Sequence, residues 1–170
     1  VSGSADVASV DFTWLPGNKG VQKENWGHQQ IKFGVREFGM AMMSIGMSLH
    51  GFIRPVIGTF LVFSDYMRNA IRMSAMMNQN VIYIFTHDSL LIGQDGPTHQ
   101  PIENLMSLRL IPNLTVLRPG DENEAKAAWI CAIKNENGPT AICFSRQPVK
   151  SVAKELTNSS ALEGVQKGIY

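Results

Sequence analysis

Two histidines, two aspartates, a serine and two threonines fall within sixteen residues, from Thr86-His87-Asp88-Ser89 to Gly93-Gln94-Asp95-Gly96-Pro97-Thr98-His99-Gln100-Pro101. Imidazoles exchange protons near neutral pH, and carboxylates accept charge-assisted hydrogen bonds from hydroxyls. The intervening glycines and prolines bend the chain sharply enough to turn such side chains toward one point. This loop directly follows Val81-Ile82-Tyr83-Ile84-Phe85, an apolar run of strand length. Open α/β sheets place ligand sites in loops at the carboxyl ends of buried strands.

Two further groups could join that chemistry. Glu37 heads a methionine-rich segment, and Arg146 follows the apolar run Thr140-Ala141-Ile142-Cys143-Phe144. An arginine just past a strand end is a natural anion clamp, because its planar fork matches carboxylate and phosphate oxygens. Each residue also has a plainer reading. Glu37 suits a helix dipole, His87 and Asp88 suit a turn, Asp95-Gly96-Pro97 suits a tight turn, and Arg146 suits an ion pair. His87, Asp88, Asp95 and His99 also have the residue types of a metal site, which leaves a metal-dependent hydrolase as an alternative. A non-catalytic interaction module is a third.

The elements that must position these residues alternate along the chain. Apolar patterning predicts strands over 31–35, 53–57, 81–85, 114–117 and 140–144, and helices over 37–50, 60–78 and 102–110. Asp121 is placed to cap a helix running through Lys134, with Glu124 three residues on as its capping-box partner. Residues 1–30 are turn-rich and weakly patterned, and residues 151–170 read as a linker. Strands joined by helices imply right-handed crossovers and a mostly parallel sheet flanked by helices on both faces. Such a sheet gathers its carboxyl ends on one edge, which should carry Arg36, Glu37, Phe60, His87 to His99, Arg118 and Arg146. Phe60, Phe63 and Tyr66 recur at a spacing that more often marks core than ligand cradle, and the methionines of 37–50 read as core filler.

Composition narrows the class. A chain of 170 residues with 44% hydrophobic and 17% charged residues can build one domain with a substantial core. A net charge of +1 without a basic stripe argues against nucleic-acid binding. No apolar run is long enough to span a bilayer and no signal peptide is visible, so the reading is cytoplasmic with no membrane partner. The two cysteines, Cys131 and Cys143, lack metal-ligand spacing and read as buried reduced thiols. A first residue set within a Gly/Ser/Asp loop suggests a piece of a longer polypeptide.

Taken in order, the motifs resemble the pyrimidine-binding (middle) domain of transketolase. The segments that carry the resemblance are Gly3-Ser4-Ala5-Asp6, Phe33-Gly34-Val35-Arg36-Glu37-Phe38-Gly39-Met40 and Gly58-Thr59-Phe60-Leu61-Val62-Phe63. They continue through Thr86-His87-Asp88-Ser89, Asp95-Gly96-Pro97-Thr98-His99-Gln100-Pro101, Pro112-Asn113, Arg118-Pro119 and Ser145-Arg146-Gln147. The resemblance spans nearly the whole chain and implies the fold of a thiamine diphosphate-binding pyrimidine domain over 1–150, followed by a linker toward a further domain. Dihydroxyacetone synthase and deoxyxylulose-phosphate synthase share parts of this motif set and remain alternatives within the same cofactor class.

The resemblance also implies roles. Glu37 would hydrogen-bond the cofactor aminopyrimidine and activate it, with Phe60, Phe63 and Tyr66 packed around that ring and Asp6 nearby. His87 and His99 would line the substrate channel, with His99 assisting proton transfer. Asp95 would read a sugar hydroxyl, and Arg146 with His87 would hold the sugar phosphate. The family's phosphate-contacting serine aligns with Val10 here, unless Ser9 takes its place. Gln94 stands where the family usually has glutamate. Mg²⁺ or Ca²⁺ would be held by a diphosphate-binding domain outside this chain, contributed by another subunit of a homodimer. The chain would then be inactive alone.

Overall fold

The computed structural model describes residues 1–11, 13–151 and 160–168. Six strands form one sheet: β1 Ser2–Ser4, β2 Gln30–Lys32, β3 Val56–Phe60, β4 Ile82–Thr86, β5 Thr115–Leu117 and β6 Thr140–Cys143. Their order is β2-β1-β3-β4-β6-β5, and every pairing is parallel. All carboxyl ends therefore lie on one edge. The helices are α1 Glu37–His50, α2 Ser64–Met76, α3 Asn104–Arg109, α4 Glu122–Lys134 and α5 Ala161–Lys167. None of the described helices is long and apolar enough to cross a membrane.

The central strand β4 is buried throughout, as an apolar run covered on both faces should be. Its side chains alternate between two cores. Tyr83 and Phe85 join Ile57, Cys143 and the buried faces of α1 and α2, Met40, Ala41, Ile45, Met67, Ala70 and Ile71. Ile82 and Ile84 join Ile142 with Ala128 and Ala132 of α4 on the opposite face. Leu108 of α3 belongs to the first core, and α5 packs on α4.

Most elements fall close to their expected positions, and α1 begins and ends where the sequence pattern placed it. β3 lies three residues later than expected, because Ile53 and Arg54 precede the pairing that starts at Val56 opposite Ser2 and Ile82. The long helix expected over 60–78 opens as a 3₁₀ turn at Leu61–Phe63 before α2 begins. Residues 2–4, read as turn-rich, form β1, an interior strand between the edge strand β2 and β3. The segment read as a linker contains α5 among its described residues. Met40 is core as expected, but Met42 and Met43 are exposed, because only the stripe Met40, Ala41, Ser44 and Ile45 faces the sheet. Cys143 is buried, and burial pushes its thiol up to about 12, whereas Cys131 is only half-buried on α4.

Candidate active site

The carboxyl edge is built around Phe60, the last residue of β3. The 3₁₀ turn that follows brings the Phe63 ring to 5.9 Å from Phe60, and Tyr66 stacks on Phe63 at 5.8 Å. The spacing that suggested core thus makes an aromatic ladder at the surface. Phe60 and Phe63 are half-buried, and Tyr66 is 66% exposed. This corrects the expectation of core packing. These rings start above the sheet edge, where the first turn of α2 has no strand beneath it to cover.

His87 follows β4 with φ +67, a left-handed conformation that disfavours a side chain bearing Cβ. Its ring stacks on Phe60 with centroids 4.1 Å apart and planes 19° apart. Neighbouring contacts hold the turn. Asp88 N–H donates to Phe144 O at 3.0 Å, and Arg118 Nε donates to Asp88 Oδ2 at 2.7 Å. Downstream, Gln100 Nε2 and Gln147 Nε2 donate to Leu90 O and Leu91 O, at 2.7 and 2.6 Å. The polar loop is therefore tied back to the ends of β4, β5 and β6.

Two 3₁₀ turns, Gly93–Asp95 and Pro97–His99, carry the rest of the loop. Between them Gly96 takes φ +73, a conformation open to glycine, and Pro97 starts the second turn with its preset φ. His99 presents its ring edge to Phe63 at 5.2 Å and to Phe60 at 6.1 Å. Its Nδ1 lies 2.8 Å from Thr98 Oγ1. Burial holds the His87 imidazole below its ordinary pKa; the Arg146 guanidinium and His99 reinforce that shift, and Asp95 opposes it. Arg146, Asp95 and His99 are thus all close enough to influence His87 electrostatically, Arg146 from beyond β6 and the other two from the polar loop itself. His87 Nδ1 is buried with no hydrogen-bond partner among the described residues.

Glu37 opens α1 on the same edge and is only 7% exposed. Among the described residues nothing hydrogen-bonds its carboxylate, although it is nearly buried. Arg36 does not share the edge chemistry: its Nη1 donates to Phe33 O at 3.1 Å and closes the turn made by Gly34 at φ +69. Asp6 follows β1 with φ +70, exposed on the edge. Ser9 is exposed, while its neighbour Val10 lines a cleft of about 540 Å³ with His87, Ser145 and Arg146. The same cleft contains Asp11, a buried carboxylate that sequence reasoning passed over because nothing in its spacing marked it.

Asp88 turns to Arg118, and no group of three His, Cys, Asp or Glu side chains among the described residues is arranged to hold a cation. His87, Asp88, Asp95 and His99 therefore do not form the ligand set that the hydrolase alternative needs.

An all-parallel sheet with stacked rings, two imidazoles and a guanidinium on its carboxyl edge is the architecture of an open α/β ligand-binding domain. The family described as transketolase, pyrimidine binding domain, matches residues 1–151. The chain belongs to that family. It is 50% identical over 170 residues to Transketolase 2 of Xanthobacter flavus, covering all of this chain and 24% of that protein. Its fold is similar to that of the Pichia stipitis transketolase complexed with sedoheptulose-7-phosphate, with TM-score 0.90 and 36% identity over 99% of this chain and 25% of that one. It is also similar to a split-gene transketolase described as an inactive beta4 tetramer, with TM-score 0.66 and 25% identity over 94% of this chain and 49% of that one. The chain thus spans about a quarter of the length of the curated relatives it matches.

Proposed function

We propose that this chain is the part of a transketolase that holds the aminopyrimidine of thiamine diphosphate and grips the sugar substrate. The whole protein would transfer a two-carbon ketol unit from a ketose phosphate to an aldose phosphate. The observation that carries this reading is the Phe60–His87 stack with His99 edge-on, on the same sheet edge as the nearly buried Glu37, which has no hydrogen-bond partner among the described residues.

These residues fit the group. Flat aromatic rings suit a flat heterocycle at little entropic cost, and Phe60, Phe63 and Tyr66 offer three of them. A sheltered carboxyl without a protein partner suits a ring nitrogen that must share a proton, and Glu37 supplies it. When bound, the cofactor supplies a carbon nucleophile that attacks and later releases the ketose carbonyl carbon. His99, Asp95 and His87 would orient the sugar hydroxyls, with His99 moving a proton, and Arg146 would meet the phosphate with its planar fork. Asp6 would lie beside the cofactor, and Ser9 is the hydroxyl residue next to Val10, which lines the cleft.

The diphosphate and its Mg²⁺ or Ca²⁺ would be held by another domain, from a second subunit of a cytoplasmic homodimer. Exposed apolar side chains on the site side of the molecule, among them Phe38, Leu90, Leu91 and Ile102, favour such a partner. The chain alone would be inactive. The test mixes it with a transketolase diphosphate-binding domain, thiamine diphosphate and Mg²⁺, and follows ketol transfer from xylulose 5-phosphate to ribose 5-phosphate. Activity is expected only in the mixture. Glu37→Ala in the full-length protein should lower kcat by about 10²- to 10⁴-fold while the circular dichroism spectrum stays unchanged. Near-normal turnover would remove Glu37 from the catalytic role.

A further inference from the structure

We infer that Asp11 is a positioning residue for the sugar side of this site: its carboxylate pins the loop bearing Asp6, Ser9 and Val10 onto β1 and β3, in the cleft that His87 and Arg146 also line. The inference rests on the functional reading above and goes beyond it.

Asp11 is 2% exposed, unusual for an aspartate with no cation paired to it among the described residues. Its carboxylate instead accepts hydrogen bonds from Ser4 Oγ of β1, from Thr13 N–H at 3.0 Å and from Thr13 Oγ1 at 2.7 Å. Ser4 pairs with Gly58 across the β1–β3 register, and the carboxylate sits directly on that pair. A Cβ at Gly58 would come within 2.7 Å of Asp11 Oδ2 and 2.6 Å of the Thr13 methyl. Glycine at 58 is what lets the loop descend onto the strand. The loop is also knotted on itself, with Val10 and Asp11 N–H both donating to Val7 O at 2.9 and 3.0 Å, and Val7 N–H donating to Ser4 Oγ at 3.2 Å.

The consequence falls on the cleft. Val10 and Asp11 line it together with His87, Ser145 and Arg146. His87 and Arg146 are the titratable and charged groups that share this lining with Asp11, and among the described residues neither is ion-paired to its carboxylate. The Val10 part of the lining therefore keeps its place through Asp11, with no direct contact between Asp11 and a reacting group required. Burial raises the Asp11 carboxyl above 3.8, although its bonds from Ser4 and Thr13 act in the other direction. With a folded-state value above the unfolded one, the stabilisation is present below 3.8 and is lost as pH rises through the folded value. Asn at this position can keep both Thr13 bonds on its oxygen and reverse the Ser4 bond, its Nδ2 donating to Ser4 Oγ, without that cost.

The experiment uses the full-length protein that carries this chain, with xylulose 5-phosphate and ribose 5-phosphate as substrates. Asp11→Ala should raise KM for the sugar phosphates by about tenfold and change kcat by less than about threefold. Asp11→Asn should restore KM and melt higher than the unaltered protein at neutral pH, with the gap closing in acid. Thr13→Val, which keeps Asp11 but removes one donor, and Gly58→Ala, which lifts the loop, should raise KM in the same direction. Unaltered protein that is active, beside a folded Asp11→Ala variant with unchanged KM, overturns the inference and leaves the functional reading intact. If Asp11→Ala does not fold, unchanged KM in both Thr13→Val and Gly58→Ala overturns it. An Asp11→Asn variant as impaired as Asp11→Ala also overturns it. Absence of ketol transfer in the unaltered full-length protein overturns the functional reading, and this inference with it.

Discussion

His87 lies between opposing influences at the residue scale. Burial, Arg146 and His99 disfavour its imidazolium, and Asp95 favours it. Because the folded imidazole titrates below 6.5, the unfolded chain takes up the proton first as pH falls, and stability is lost below that value. Replacing Arg146 by Leu removes a cation, so the His87 midpoint should move up. Asp95→Asn removes an anion and should move it down. An NMR titration of the imidazole resonance reads both, and equal midpoints in the two variants would mean that these groups do not surround His87. The polar loop was legible as chemistry because its residue types are rare together in so short a stretch. What it could not reveal is the left-handed turn that lays His87 flat on Phe60, because that conformation depends on Asp88 being held by Phe144 and Arg118.

At the scale of elements, long periodic segments were readable and short ones were not. α1 stood out through its length and its apolar residues, and α4 through the cap in which Asp121 Oδ1 accepts from Glu124 N–H at 2.9 Å. Asp121→Ala should cost about 1 kcal/mol of stability in urea unfolding, a loss that a cap-independent helix would not show. β1 was invisible because Ser2-Gly3-Ser4 has neither β-branched nor apolar side chains. Its place is decided by packing. A Cβ on Gly3 would lie 2.4 Å from the Phe33 ring and 2.5 Å from Ile31 O, so only glycine lets β2 and the chain after it close against β1. Gly3→Ala should therefore destabilise the domain by about 1–3 kcal/mol, measured by the same unfolding, with β2 and the Glu37 turn loosened first. An unchanged midpoint would show that this crossing has room to spare.

At the scale of the whole molecule, several large apolar side chains stand exposed beside the carboxyl edge. Phe38 is 49% exposed and Leu91 80% exposed, and Val35, Met43, Leu90 and Ile102 add to the same kind of surface. Isolated in solution, the chain should self-associate in the micromolar range, and Phe38→Lys with Leu91→Lys should shift it toward monomer in sedimentation velocity. Sedimentation as a monomer at high concentration would sink that expectation. The amino-acid sequence by itself determined the alternation of strand and helix, the parallel sheet and the family, because periodicity and ordered motifs are local properties of the chain. Only the tertiary structure decided which groups meet: Phe60 with His87 and His99, Asp95 and Arg146 around that pair, and Asp11 on Ser4 and Gly58. Contacts between residues on different strands and loops depend on strand order and register, and those are settled by which side chains can pack across the sheet.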